Sequence, residues 1–118
     1  MWLYIHGPSH YESVSASRKA SRTLLAAETF SSINSILSKD WNLYPSKTFE
    51  QAWKNAVYAD HGWGGYDGIT TDLLFKTKFE AALDSASCIL NSSLDKISDF
   101  ISYDKSKKGY AITVFNSL

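Results

Sequence analysis

Phe75, Phe79, Ala82, Ala86, Ile89, Ser93, Ile97 and Phe100 follow one another at spacings of three and four. That repeat keeps eight residues on one face of a helix and does not suit a strand, whose faces alternate every second residue. It predicts a helix starting near Thr70 to Asp72, both good caps, and lasting about 30 residues, longer than the average helix. Asn91-Ser92-Ser93 is its weakest stretch, where a bend or break is expected. Cys88 falls on or near the core side, where a packed thiol is expected.

Two further helical patterns precede it. Over 12–38, Ala26, Phe30, Ile33 and Leu37 mark one face, and Ala20 and Leu24 extend it backward. Arg18, Lys19 and Arg22 lie in the first half of that helix, where cations oppose the macrodipole. Residues 40–45 form a connector. A second helix is expected from Pro45 or Ser46 to Tyr58 or Ala59, with Phe49, Trp53 and Ala56 on its apolar face. Thr48 and Gln51 have the spacing of a capping box, and Ser46 is an alternative cap. The stretch Asp60-His61-Gly62-Trp63-Gly64-Gly65-Tyr66-Asp67-Gly68 holds four of the chain's six glycines. At about 1 kcal/mol per glycine relative to alanine it cannot stay helical, so it is read as a loop.

After a lysine-rich turn over 104–109, Tyr110-Ala111-Ile112-Thr113-Val114-Phe115 has strand character. A single strand cannot satisfy its own ladder. The expected fold is therefore all-α, an antiparallel three-helix bundle with an orphan C-terminal β-strand. Residues 1–104 are expected to form the helical domain. Residues 105–118 are read as a linker and the first strand of a truncated β-rich domain.

Composition narrows the function. Twelve basic and twelve acidic side chains among 118 residues give a formal net charge of zero. Nucleic acids and anionic membrane surfaces call for a basic excess, so neither is an expected partner. The longest apolar runs, such as Trp2-Leu3-Tyr4-Ile5, are far short of the roughly 20 residues of a membrane span. No signal-peptide pattern is read at the start of the sequence. One cysteine allows no internal disulfide. An aromatic content of 14% argues for a packed core rather than a disordered chain.

The chemistry-bearing candidates gather in the glycine loop. His61 can be read as a metal ligand or general base given room by its glycines, or as a histidine capping the C-terminal end of the second helix. Asp60, Asp67 and Asp72 surround it in sequence. A complete metal site needs three or four ligands converging on one point, and adjacent residues point apart, so this loop alone does not supply one. Trp63 and Tyr66 can stack on a sugar ring or plug the end of the bundle. His6 and His10 have the spacing of a helical metal pair, but Gly7-Pro8 breaks the helix that would align them. No G-x-S-x-G and no G-x-x-x-x-G-K-[ST] pattern occurs.

Five pieces in fixed order carry a resemblance. They are His6-Gly7-Pro8-Ser9-His10, Leu25-Ala26-Ala27-Glu28, Phe49-Glu50-Gln51-Ala52-Trp53-Lys54, Asp60-His61-Gly62-Trp63-Gly64 and Ile112-Thr113-Val114-Phe115-Asn116. Together they span nearly the whole chain and resemble the helical middle domain of α-mannosidases of glycoside hydrolase family 38. The resemblance implies a metal-dependent retaining glycosidase acting on terminal α-mannosides. A β/α catalytic domain would precede this chain, and a β-rich region would follow it. It implies a Zn2+ (or another divalent cation) held by side chains of the preceding domain and by His61 from this one. Trp63 and Tyr66 would bind substrate. The nucleophile and the acid/base would belong to the preceding domain, so the fragment alone is expected to be inactive and to hold little metal. Gly62 departs from the many family members that have an aspartate after the ligand histidine, which leaves substrate identity open. Two other readings use the same residues: a stand-alone helical protein-interaction module, and a small carbohydrate-binding domain without catalysis.

Overall fold

The computed structural model describes residues 11–57, 68–104, 106 and 108–116. The fold is all-α: α1 (Tyr11–Ser38), a short 3-10 turn (Trp41–Leu43), α2 (Ser46–Ala56) and α3 (Gly68–Asp99). α1 and α3 run side by side in the same direction. Ser13 Oγ donates to the Asp72 carbonyl at 3.1 Å near one end, and the Ser31 and Ser93 hydroxyls meet at 2.9 Å toward the other. α2 runs back between them and packs on the second half of the pair, where Trp53 reaches Glu28. The order is thus up, down, up, with consecutive helices antiparallel.

The main core joins Ala20, Leu24 and Ala27 of α1, Phe49, Ala52 and Ala56 of α2, and Ala82 and Ala86 of α3. A second cluster, Ala16 with Phe75 and Phe79, joins the N-terminal halves of α1 and α3. Alanine dominates the seam, so the helix backbones approach closely and little bulky apolar area lies between them. The radius of gyration of 18.3 Å exceeds the roughly 13.5 Å of a compact domain of this length. The molecule is elongated and its core is thin.

α3 matches the sequence pattern from Phe75 to Ile97, with Phe75, Phe79, Ala82, Ala86, Ser93 and Ile97 buried. It passes through Asn91-Ser92-Ser93 without a break, because Ser93 faces α1 and satisfies its hydroxyl on Ser31. Phe100 lies just past the helix end and is 53% exposed. Cys88 is exposed rather than packed.

α1 turns a different face inward than its large residues suggest. Ala16, Ala20, Leu24, Ala27, Ser31 and Ser35 line the seam, while Ile33 and Leu37 are mostly outside it. The reason is steric. Against Ala82, Ala86 and Ser93 only small side chains permit the short helix separation, so the branched residues rotate outward.

α2 begins at Ser46, with Pro45 at the cap position and no side-chain cap, so the Thr48–Gln51 box is not used. Proline suits that end because its missing N–H would have no helical partner there. The helix stops at Ala56, two to three residues earlier than expected.

Among the described residues no strand occurs, and 109–116 is irregular. A strand exists only through a ladder, and no described segment pairs with this one.

The end of α1 yields a first prediction. Lys39 adopts a left-handed backbone, φ 54°, and its N–H bonds the Ile36 carbonyl while the Asp40 N–H bonds the Ser35 carbonyl. This is a Schellman closure with a residue other than glycine at the strained position. Lys39→Gly removes the Cβ clash and should stabilise the chain by about 0.5–1 kcal/mol, a gain of roughly 3 °C in thermal midpoint. A lower midpoint in the variant would show that the turn carries no strain.

Candidate functional site

His61, Trp63 and Tyr66 lie outside the described residues, as do Asp60, Asp67, His6 and His10. The structure does define the two helix ends from which the 58–67 segment departs. On the α2 side, Phe49, Ala52 and Ala56 are buried in the main core, and the Val57 N–H closes the helix on the Trp53 carbonyl. On the α3 side, Phe75 and Phe79 pack on Ala16, and Ser13 ties α1 to the Asp72 carbonyl. Asp72 sits in the second turn of α3, since that helix begins at Gly68. Lys76 adds a surface pair with Glu12 at 2.6 Å and a longer one with Glu80 at 3.9 Å. The Lys76 hydrogen bond, followed by its charge, holds the Glu12 carboxyl below its ordinary range. Exposed pairs of this kind add little to stability.

The most developed side-chain cluster joins α1, the 3-10 turn and α2. The Trp53 indole N–H donates to Glu28 Oε1 at 2.9 Å. Tyr44 stacks at a tilt on Phe49, ring centroids 5.1 Å apart, with Trp41 at 6.2 Å on its other side. Burial, and then the Glu28 charge, push the Tyr44 phenol above its ordinary value, so it stays protonated at neutral pH. Asp40 anchors the turn by accepting from the Asn42 backbone and side-chain amides, both at 2.9 Å.

This cluster clamps α2 onto α1. Its two carboxylates are both engaged, Glu28 by the Trp53 indole and Asp40 by the Asn42 amides. Sequence reasoning assigned no role to Glu28 and used Trp53 only as an apolar residue. The signal was there: an indole on a half-buried helix face needs an acceptor for its N–H, and the glutamate after Ala26-Ala27 can supply it.

Among the described residues no group of three or more His, Cys, Asp or Glu side chains could hold a metal ion. All three histidines of the chain fall outside that set. A structural or catalytic zinc takes at least three protein ligands, and the described residues bring no such set together. An open groove of about 580 Å³ lies between the end of α3 and residues 110–115. Its lining is hydroxyl, phenol and aliphatic, with no carboxylate and no imidazole. That composition suits packing, not acid–base chemistry.

No family model matches the chain, and neither the curated proteins nor the solved structures contain a match. No helix among the described residues is long and apolar enough to cross a membrane.

Proposed function

We propose that this chain is the helical middle domain of a metal-dependent retaining glycosidase hydrolysing terminal α-mannosides, similar to glycoside hydrolase family 38. The observation that supports this beyond the ordered motifs is the amount of uncovered apolar surface. On α1, Leu25 is 59% and Ile36 61% exposed, and Ile33 and Leu37 lie on the same outward side. A helix apolar on its outer face as well as its inner one belongs in the middle of a larger body. Residues 110–114 are exposed as well, and in this reading 110–115 becomes a strand once a β-rich region supplies the neighbouring ladder.

In this reading the bundle joins the catalytic and β-rich domains. His61 contributes a neutral imidazole nitrogen to a Zn2+ site whose other ligands come from the preceding domain. When bound there, the metal supplies Lewis-acid stabilisation of charge on the sugar. Trp63 and Tyr66 give the pocket flat faces against the mannose ring. α2 and α3, fixed by the Glu28–Trp53 clamp and the Phe75–Phe79 cluster, hold the two ends of the loop that carries them.

The test is an assay of the uninterrupted gene product on a chromogenic α-mannoside. Release of the chromophore should stop on chelation and return with Zn2+, while the 118-residue chain alone should release none. A gene product that neither cleaves α-mannosides nor binds a divalent cation would overturn the reading. The exposed outer face of α1 also fits a helical protein-interaction module. That alternative expects a gene whose product ends with these helices and shows no metal dependence.

A further inference from the structure

Past Leu24, the buried side of α1 consists of Ala27, Ser31, Asn34 and Ser35, with Phe30 packed on Phe115. Ser31 is 2% and Ser35 0% exposed, and Ser93 of α3 is 5% exposed. The short distance between the helices explains why the residues at 31, 35 and 93 are small. It does not explain why they are polar. Alanine fits the same space, is the better helix former and buries no hydroxyl. Stability does not explain it either. The Ser31 and Ser93 hydroxyls meet at 2.9 Å, and replacing both partners of such a bond by apolar groups of similar shape is close to neutral. Among the described residues Ser35 Oγ is buried with no partner, which is a net loss. Asn34 Oδ1 is taken within α1 by Ser38, at 3.5 Å.

The hydroxyls supply direction instead. Apolar contact is non-directional. α1 also carries a second apolar stripe, Ala26, Phe30, Ile33 and Leu37, about one residue step around the helix from the buried one. Turning that stripe toward α3, with the helices moved apart to admit it, would bury more apolar area than the serine face does. It would also leave the Ser93 hydroxyl without Ser31. A bond between two buried hydroxyls forms at one rotation and one height only. The Ser13 bond to the Asp72 carbonyl agrees with it in height, because its partners are 59 residues apart and Ser31 and Ser93 are 62 apart.

We propose that Ser31 and Ser93 form a register lock, which holds α1 on α3 by its serine face and excludes the wider packing through Ile33 and Leu37. Polar groups buried between helices can fix register at the expense of stability. This inference does not rest on the glycosidase reading, and its outcome leaves that reading unchanged.

Thermal unfolding of serine variants of the 118-residue chain tests it, read beside a distance between the two helices. Spin labels on Cys88, exposed on α3, and on Thr29→Cys, exposed on α1, report that distance by double electron–electron resonance. Ser31→Ala leaves the Ser93 hydroxyl buried and unpaired and should lower the thermal midpoint by about 4 °C or more. Ser31→Ala combined with Ser93→Ala should bring the midpoint back to within about 2 °C of the unaltered chain. The same double variant should show a second label distance that the unaltered chain lacks. Ser35→Ala should raise the midpoint by about 2–4 °C and keep the single distance, since the lock is intact. A double variant with one distance, equal to that of the unaltered chain, would overturn the proposal, because small side chains alone would then fix the pairing. So would a double variant melting below Ser31→Ala, which would make the hydroxyl pair a source of stability and not of direction.

Discussion

Phe79→Ala is expected to lower the unfolding free energy by about 3–5 kcal/mol, the usual cost of deleting a buried phenyl ring. Phe79 is 2% exposed and, among the described residues, clusters with Ala16 and Phe75. The loss approaches the whole stability of an ordinary domain, about 5–15 kcal/mol. In urea the midpoint should fall by roughly 2 M. Phe100→Ala is the matched control, because the repeat in the sequence places both rings on one face. Phe100 is 53% exposed, so its removal should cost less than about 1 kcal/mol. Equal losses in the two variants would mean that the end of α3 is packed in solution in a way this fold does not contain.

His61→Ala in the uninterrupted gene product should abolish metal binding and α-mannosidase activity together. On the proposed function the metal would lose one donor, and the fall in activity should be at least two orders of magnitude. The helical circular dichroism is the control and should not change, since the helical hydrogen bonding of α2 and α3 does not run through residue 61. Metal content by atomic absorption, read beside activity, separates the possible roles. An inactive variant that keeps its full zinc content would make His61 a substrate contact instead of a ligand. A variant retaining both would return the residue to the helix-capping role that its position also allows.

The helices of this chain are legible without a structure, and α3 most of all. Its apolar residues at three and four leave one solution, and seven of the eight marked positions are buried or half-buried. Phe100 fails because the helix stops at Asp99, and periodicity says nothing about where the hydrogen bonding ends. In α1 the same reading chooses the wrong stripe in the second half. Ile33 and Leu37 look like core, yet Ser31, Asn34 and Ser35 are buried in their place. Hydrophobicity ranks side chains by their transfer from water. What selects here is the space between two close backbones, which admits serine and excludes isoleucine. The Glu28–Trp53 bond was legible only as a need: the indole calls for an acceptor, but which one it meets, 25 residues away, depends on the relative height of two helices, which nothing local fixes.

The candidate site divides along the same line. His61, Trp63 and Tyr66 stand out in the sequence because a glycine-rich run between two helices is an unusual place for a histidine and two large rings. Their use is a matter of tertiary context, and a zinc ligand set cannot be completed from one imidazole.

The sequence alone determined that three helices form, roughly where they begin and end, and that a strand-like segment follows them. These are properties of residues a few positions apart, governed by helical period, glycine flexibility and β-branching. Tertiary structure decided which face of α1 is core, that Cys88 is outside, that α2 is clamped through Glu28, and that 110–114 lies exposed while Phe115 packs on Phe30. Each depends on how closely distant segments approach, and that distance is set by the packing of the whole chain.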